Sequence, residues 1–115
     1  MAAVDAEFCP YFQDAVELIG RRWCGPITRA LLGGPRRFSE LERAIPGISA
    51  RALTQRLREL EEAGIVARVV EPASPVRVSY ELTAKGRALD AIVEAIESWA
   101  HDWLAPAGHE HRRAG

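Results

Sequence analysis

Apolar positions along the chain follow two different periods. Phe8, Phe12, Ala15, Val16 and Ile19 recur at helical spacing, and Tyr11 and Leu18 widen the stripe. That pattern predicts a first helix ending near Gly20, with an apolar face broader than one core contact requires. A second helix is expected from Gly25 to Leu32, with Pro26 in the first turn, where its missing N–H costs nothing. Gly33-Gly34-Pro35 stops it. Ser39-Glu40-Leu41-Glu42 has the form of a capping box and opens a short third helix through Ile45, closed by Pro46-Gly47. Ser49 is the next cap candidate, and Leu53, Leu57 and Leu60 share one face of a fourth helix. Gly64 is placed as its left-handed terminator, with Ile65 as the accompanying hydrophobic contact.

From Ile65 the period changes. Ile65–Glu71 and Val76–Leu82 are β-rich, and in the second run Val76, Val78, Tyr80 and Leu82 alternate with Arg77, Ser79 and Glu81. Pro72-Ala73-Ser74-Pro75 joins the runs as a hairpin loop. Thr83 caps a last helical region, in which Leu89, Ile92, Val93, Ile96, Trp99, Ala100 and Trp103 form a long stripe. If Thr83–Lys85 opens a separate short turn, that long helix is the sixth. The expected fold is mainly α with a small β-hairpin, a winged helix-turn-helix. Residues 8–104 form the domain, between a flexible N-terminus (1–7) and a flexible tail (105–115).

The chain has 115 residues, 48% hydrophobic and 27% charged, which excludes a wholly disordered polypeptide and suits one core. No apolar run approaches the roughly 20 residues needed to cross a bilayer. The acidic N-terminus has no secretory pattern, and two cysteines give no disulfide framework. A soluble, cytoplasmic domain without membrane association is expected.

The net charge of −1 hides a division along the chain. Residues 1–20 carry four acids and no basic residue, residues 21–58 carry nine arginines against two acids, and residues 59–115 are acidic again. A basic block between acidic flanks makes a local electropositive face on a nearly neutral protein. Base composition of the genome also produces an arginine bias, so placement matters more than number. On the fourth helix, with Leu57 turned to the core, Arg51, Gln55, Arg58 and Glu62 fall on the far side, with Thr54 and Arg56 on the flanks. Its acids, Glu59, Glu61 and Glu62, sit in the C-terminal half. A recognition helix enters the major groove N-terminus first, with Arg suited to guanine and Gln to adenine. Arg51, Thr54, Gln55 and Arg58 are therefore the candidate base readers of double-stranded DNA, and Ser49 a cap that also meets phosphate. Arg77, with Ser74, belongs to the wing. Arg36 and Arg37 are placed for backbone contacts, which give register and affinity without sequence information.

Cys9-Pro10, Gly20-Arg21-Arg22-Trp23, and the run from Leu31-Leu32-Gly33-Gly34 through Phe38-Ser39-Glu40-Leu41 resemble the HxlR-type helix-turn-helix regulators. The resemblance continues through Ile45-Pro46-Gly47-Ile48-Ser49, Leu53–Val66 and Pro75–Gly86, and covers about residues 9–104. It implies a winged-helix, homodimeric bacterial transcription factor that represses or activates nearby genes. Cys24-Gly25-Pro26 departs from the usual pattern after Trp23, where the family more often has Thr or Ser and aliphatic residues.

The terminal helices are more apolar than one small core can absorb, which independently argues for a homodimer. Phe8, Tyr11, Phe12, Ile92, Ile96, Trp99 and Trp103 are the expected interface, and two-fold symmetry matches a palindromic operator. Phe12, Trp23, Trp99 and Trp103 are the candidate lining of an effector pocket for an unidentified small molecule. Cys9 admits two readings. At a helix N-terminus the dipole favours a reactive thiolate, and some similar regulators sense oxidants, quinones or aldehydes there, but Asp5 and Glu7 oppose it and a purely structural cysteine fits as well. Cys24 reads as a small apolar residue. His109-Glu110-His111 lacks the scaffold of a metal site, and His101 is a surface or interface histidine. No cofactor, metal or catalytic constellation is expected, so the protein is not read as an enzyme. The competing function is a winged-helix protein-interaction module without DNA binding, against which the helix-four arginines speak.

Overall fold

The computed structural model describes residues 9–106, in the order α1 (Pro10–Ile19), α2 (Cys24–Leu31), α3 (Phe38–Ala44), α4 (Ala50–Glu62), β1 (Val66–Glu71), β2 (Arg77–Leu82), α5 (Ala84–Arg87) and α6 (Asp90–Leu104). Phe8 and the expectations for residues 1–7, His109, His111 and the end of the tail lie outside the described residues.

The core lies between α2, α3, α4 and the base of the hairpin. Ile27, Leu41, Leu53, Leu57, Leu60 and Ile65 are its largest fully buried side chains. Each contributes about 1.5–3 kcal/mol by leaving water. Leu53, Leu57 and Leu60 arrive together because they share one face of α4, as their spacing predicts. By contrast, α1 buries no residue and α6 buries only Val93 and Asp102.

The ends of α4 are fixed by local chemistry. Ser49 Oγ accepts the Ala52 N–H at 3.0 Å. At the other end Gly64 takes φ +77°, while the Ile65 N–H reaches the Leu60 carbonyl at 2.9 Å and the Gly64 N–H reaches Glu61 at 3.0 Å. This pair of bonds is the Schellman stop, and buried Ile65 and Leu60 supply its apolar contact.

Two helix starts differ from expectation. The N-cap of α3 is Arg37, because the Glu40 carboxylate reaches back to accept the Arg37 N–H at 2.8 Å. Ser39 therefore lies inside the first turn and caps nothing, while Phe38 packs against the core. Helix α2 begins at Cys24, one residue early, after Trp23 adopts a left-handed φ of 74°. Pro26 then stands third in the helix, still among the positions whose N–H has no intrahelical partner.

The wing pairs β1 and β2 antiparallel, with Val66 opposite Leu82 and Glu71 opposite Arg77. Arg36 adds a short third edge: its N–H donates to the Tyr80 carbonyl at 2.9 Å and its carbonyl accepts the Tyr80 N–H at 2.7 Å. Thr83 caps α5 by accepting the Gly86 N–H at 3.1 Å. Gly86 presses so closely on the Ile65 carbonyl that a Cβ would overlap it. The stripe beyond Leu89 thus belongs to a separate sixth helix.

Candidate nucleic-acid interface

Ser49, Arg51, Thr54, Gln55 and Arg58 are all exposed: Arg51, Gln55 and Arg58 lie on the side of α4 opposite its buried leucines, Thr54 on its flank and Ser49 at its N-cap. From Arg51 to Arg58 the helix rises about 10 Å, the span of about three stacked base pairs at 3.4 Å. Thr54 Oγ1 donates to the Ala50 carbonyl at 2.8 Å, and Gln55 Nε2 donates to Glu59 Oε2 at 3.4 Å. Arg51 and Arg58 make no hydrogen bond or ion pair among the described residues. Two open guanidiniums on one stripe, with no acid between them, form a cationic edge free to meet base or phosphate.

Behind this stripe lies a polar cluster on the flank of α4. Arg56 Nε donates to the Arg22 carbonyl at 3.0 Å, and Glu59 Oε1 receives both Arg56 at 2.8 Å and Arg21 at 3.1 Å. Desolvation by itself would raise the Glu59 carboxyl, but hydrogen bonds from Arg21 and Arg56 and their charges outweigh it and hold it below the ordinary value. Nearby Cys24 is a buried core residue. Burial pushes its thiol up, against the pull of Arg56 and Arg21 and with a push from Glu59.

In the wing, Ser74 and Arg77 are exposed at and just beyond the loop, with a cis Ser74–Pro75 bond between the strands. Arg68, on β1 opposite Tyr80, is a further wing arginine that the sequence reading does not single out. Its signal is present, since it alternates with apolar Ala67 and Val69 in a β-rich run. Arg37 lies at the start of α3, whereas Arg36 is paired through its backbone to the wing and lines an apolar groove, so the neighbouring arginines part company.

That groove has a volume of about 1090 Å³ and lies between α1, α2 and α6, with Phe12, Val16, Trp23, Ile92 and Ile96 among its walls. Arg29 and Glu97 pair at 3.2 Å beside it. Of the four residues expected to line a pocket, Phe12 and Trp23 line this groove. Trp99 and Trp103 do not: the α6 part of the wall ends at Glu97, and the two indoles lie farther along that helix, 57% and 60% exposed. Cys9 is the half-buried N-cap residue of α1 and a free thiol, as is Cys24.

A three-helix core carrying a capped, arginine-bearing outer helix and a two-stranded wing is a winged helix-turn-helix. Residues 18–108 match the HxlR-like helix-turn-helix family, and the chain belongs to it. It is 47% identical over 102 residues to the HTH-type transcriptional regulator YvaP of Bacillus subtilis, covering 89% of this chain and 94% of that one. It is 45% identical over 98 residues to the HTH-type transcriptional regulator YodB of the same organism, covering 85% and 88%. The fold superposes on reduced YodB with a TM-score of 0.78 at 44% identity, over 87% of this chain and 98% of that one. On the redox regulator HypR in its oxidized form the TM-score is 0.75 at 40% identity, over 80% and 94%. YodB also has diamide-treated and quinone-bound structures. The protein is accordingly a DNA-binding transcriptional regulator, and the interaction-module alternative falls away. Among the described residues, no helix is long and apolar enough to cross a membrane.

Proposed function

We propose that the protein acts in the cytoplasm as a homodimer that binds a palindromic operator and adjusts its affinity to a chemical signal. Arg51, Thr54, Gln55 and Arg58 read base edges from α4, Ser49 and Arg37 meet phosphate, and Ser74 and Arg77 hold the wing to the backbone. The observation that carries this reading is the outward stripe on α4 with its two open guanidiniums. Dimerisation through α1 and α6 is supported by the exposure of Tyr11, Phe12, Ile92, Ile96, Trp99 and Trp103 on helices that bury almost nothing themselves.

A thiol signal is favoured by Cys9, which stands at the N-cap of the helix carrying Tyr11 and Phe12. The thiolate adds to an electrophilic ring carbon of a quinone, giving a thioether on the hydroquinone. Alternatively it adds to the N=N bond of a diamide-type reagent, after which Cys9 of a second copy attacks the sulfur, leaving a disulfide and releasing the hydrazine. Either product sits at the edge of the dimer face. A noncovalent effector has room in the groove beside Phe12 and Trp23.

The test is fluorescence anisotropy on DNA upstream of the protein's own gene, with random DNA as control, over a salt series. Binding about a thousandfold selective and steeply weakened by salt is the expected result. Equal, weak binding to both DNAs contradicts it. With quinone added, release of operator by the unaltered protein and retention by Cys9→Ser support the thiol reading. Equal release by both removes it.

A further inference from the structure

The flank of α4 beside its outward stripe is bolted to the turn between α1 and α2. Arg56 Nε bonds the main-chain carbonyl of Arg22, a fixed point that no side-chain rotation can carry away. Glu59 Oε1 collects Arg56 and Arg21, and Glu59 Oε2 accepts the Gln55 amide. The Arg56 and Glu59 side chains are only 21% and 26% exposed, so these charge-assisted bonds are partly shielded from water. A second attachment lies before the helix. The Trp23 indole stands beside Gly47, 3.7 Å from where a Cβ would project, and Arg22 lies over the same indole, 5.0 Å from its centroid. The left-handed backbone at Trp23 sets the direction in which the turn leaves, a strain that the surrounding contacts offset.

We propose that the turn Arg21-Arg22-Trp23 is the seat of the reading helix, and that Arg56 and Glu59 are positioning residues that fix the pose of α4 and the direction of the Gln55 amide without touching DNA. The proposal rests on the reading of α4 as the DNA-recognition helix. It makes the Arg22 carbonyl and the Arg21 guanidinium, both at the foot of α1, a route by which a displacement of α1 reaches α4. Electrostatics makes a usefully opposite forecast. An acid near a DNA face repels phosphate, so neutralising it should strengthen binding to every sequence. A positioning acid, once neutralised, weakens binding to the operator alone.

The test measures operator and random-DNA affinity for Glu59→Gln, Arg56→Lys and the double variant. Arg56→Lys keeps the charge but loses the planar fork that serves Arg22 and Glu59 together. Each single variant is expected to lose about tenfold in operator affinity with random-DNA binding kept, and the double variant to lose much less than the product. Arg21→Gln, at the 48% exposed end of the cluster, removes only the outermost bond and should show a smaller loss in the same direction. Tighter binding of Glu59→Gln to both DNAs would overturn the proposal, as would an Arg56→Lys protein indistinguishable from the parent or weakened equally on both DNAs. Amide exchange along α4, faster in both single variants without DNA, reports the seat independently. Unchanged exchange rejects the seat even where the parent reads DNA, whereas a parent without selectivity rejects the DNA reading itself.

Discussion

At the scale of single residues, the arginines of this chain divide by what already holds them. Arg56, Arg21 and Arg29 are engaged with carboxylates, Arg36 lines the groove, and Arg51 and Arg58 are open on α4. Arginines of equal charge should therefore respond differently to removal. Arg58→Ala is expected to weaken operator binding by about 1–3 kcal/mol and to relax discrimination at one base position. Arg37→Ala is expected to weaken binding to operator and random DNA alike and to reduce the salt slope by about one. Anisotropy titrations of both variants against single-base operator changes separate the two behaviours. Identical profiles would refute the division of labour between base reader and phosphate contact.

At the scale of elements, legibility depends on how local the determining contacts are. The end of α4 is readable because Leu60, Gly64 and Ile65 are close in sequence and only glycine takes φ +77° without strain. The start of α3 is easily misplaced because two serviceable acids, Glu40 and Glu42, follow, and the choice goes to the frame that also packs Phe38. The seat of α4 is not readable at all. Arg56 and Arg22 are 34 residues apart, and no local pattern announces that a flank arginine will find a backbone carbonyl or that Trp23 will turn left-handed. The outward stripe of α4 is legible from periodicity, since burying three leucines leaves only one side for the proposed base readers. Ser49 offers an element-scale check because it is assigned two duties, cap and phosphate contact. Ser49→Ala should lower unfolding stability by about 1 kcal/mol in urea. Ser49→Asp keeps an equally good cap and adds a charge that suits a helix N-terminus, so stability is retained while DNA affinity falls by phosphate repulsion. A Ser49→Asp protein that binds DNA as well as the parent would remove Ser49 from the interface.

At the scale of the whole molecule, the distribution of apolar surface is uneven in a way the core does not explain. The buried cluster draws on α2, α3, α4 and the wing, while Tyr11, Phe12, Ile96, Trp99 and Trp103 are all more than half exposed on α1 and α6. The proposed dimer covers that patch, which is continuous with an apolar groove, by a second copy. Ile96 is a good probe because it is 53% exposed on α6 and lines the groove, yet stands outside the buried cluster. Ile96→Glu should leave helix content unchanged, since a charge at a half-exposed site has access to water. In the dimer the same carboxylate is driven against apolar side chains, an unpaired burial costing several kcal/mol for each copy. Sedimentation velocity should then show a dimer for the parent and a monomer for the variant. Operator affinity should fall far more than random-DNA affinity, because one half-site contact no longer places the other at high local concentration. If the variant remains a dimer with normal operator binding, the α1 and α6 faces are not the contact. If the parent itself sediments as a monomer at the concentrations that saturate operator, the palindrome reading fails with it.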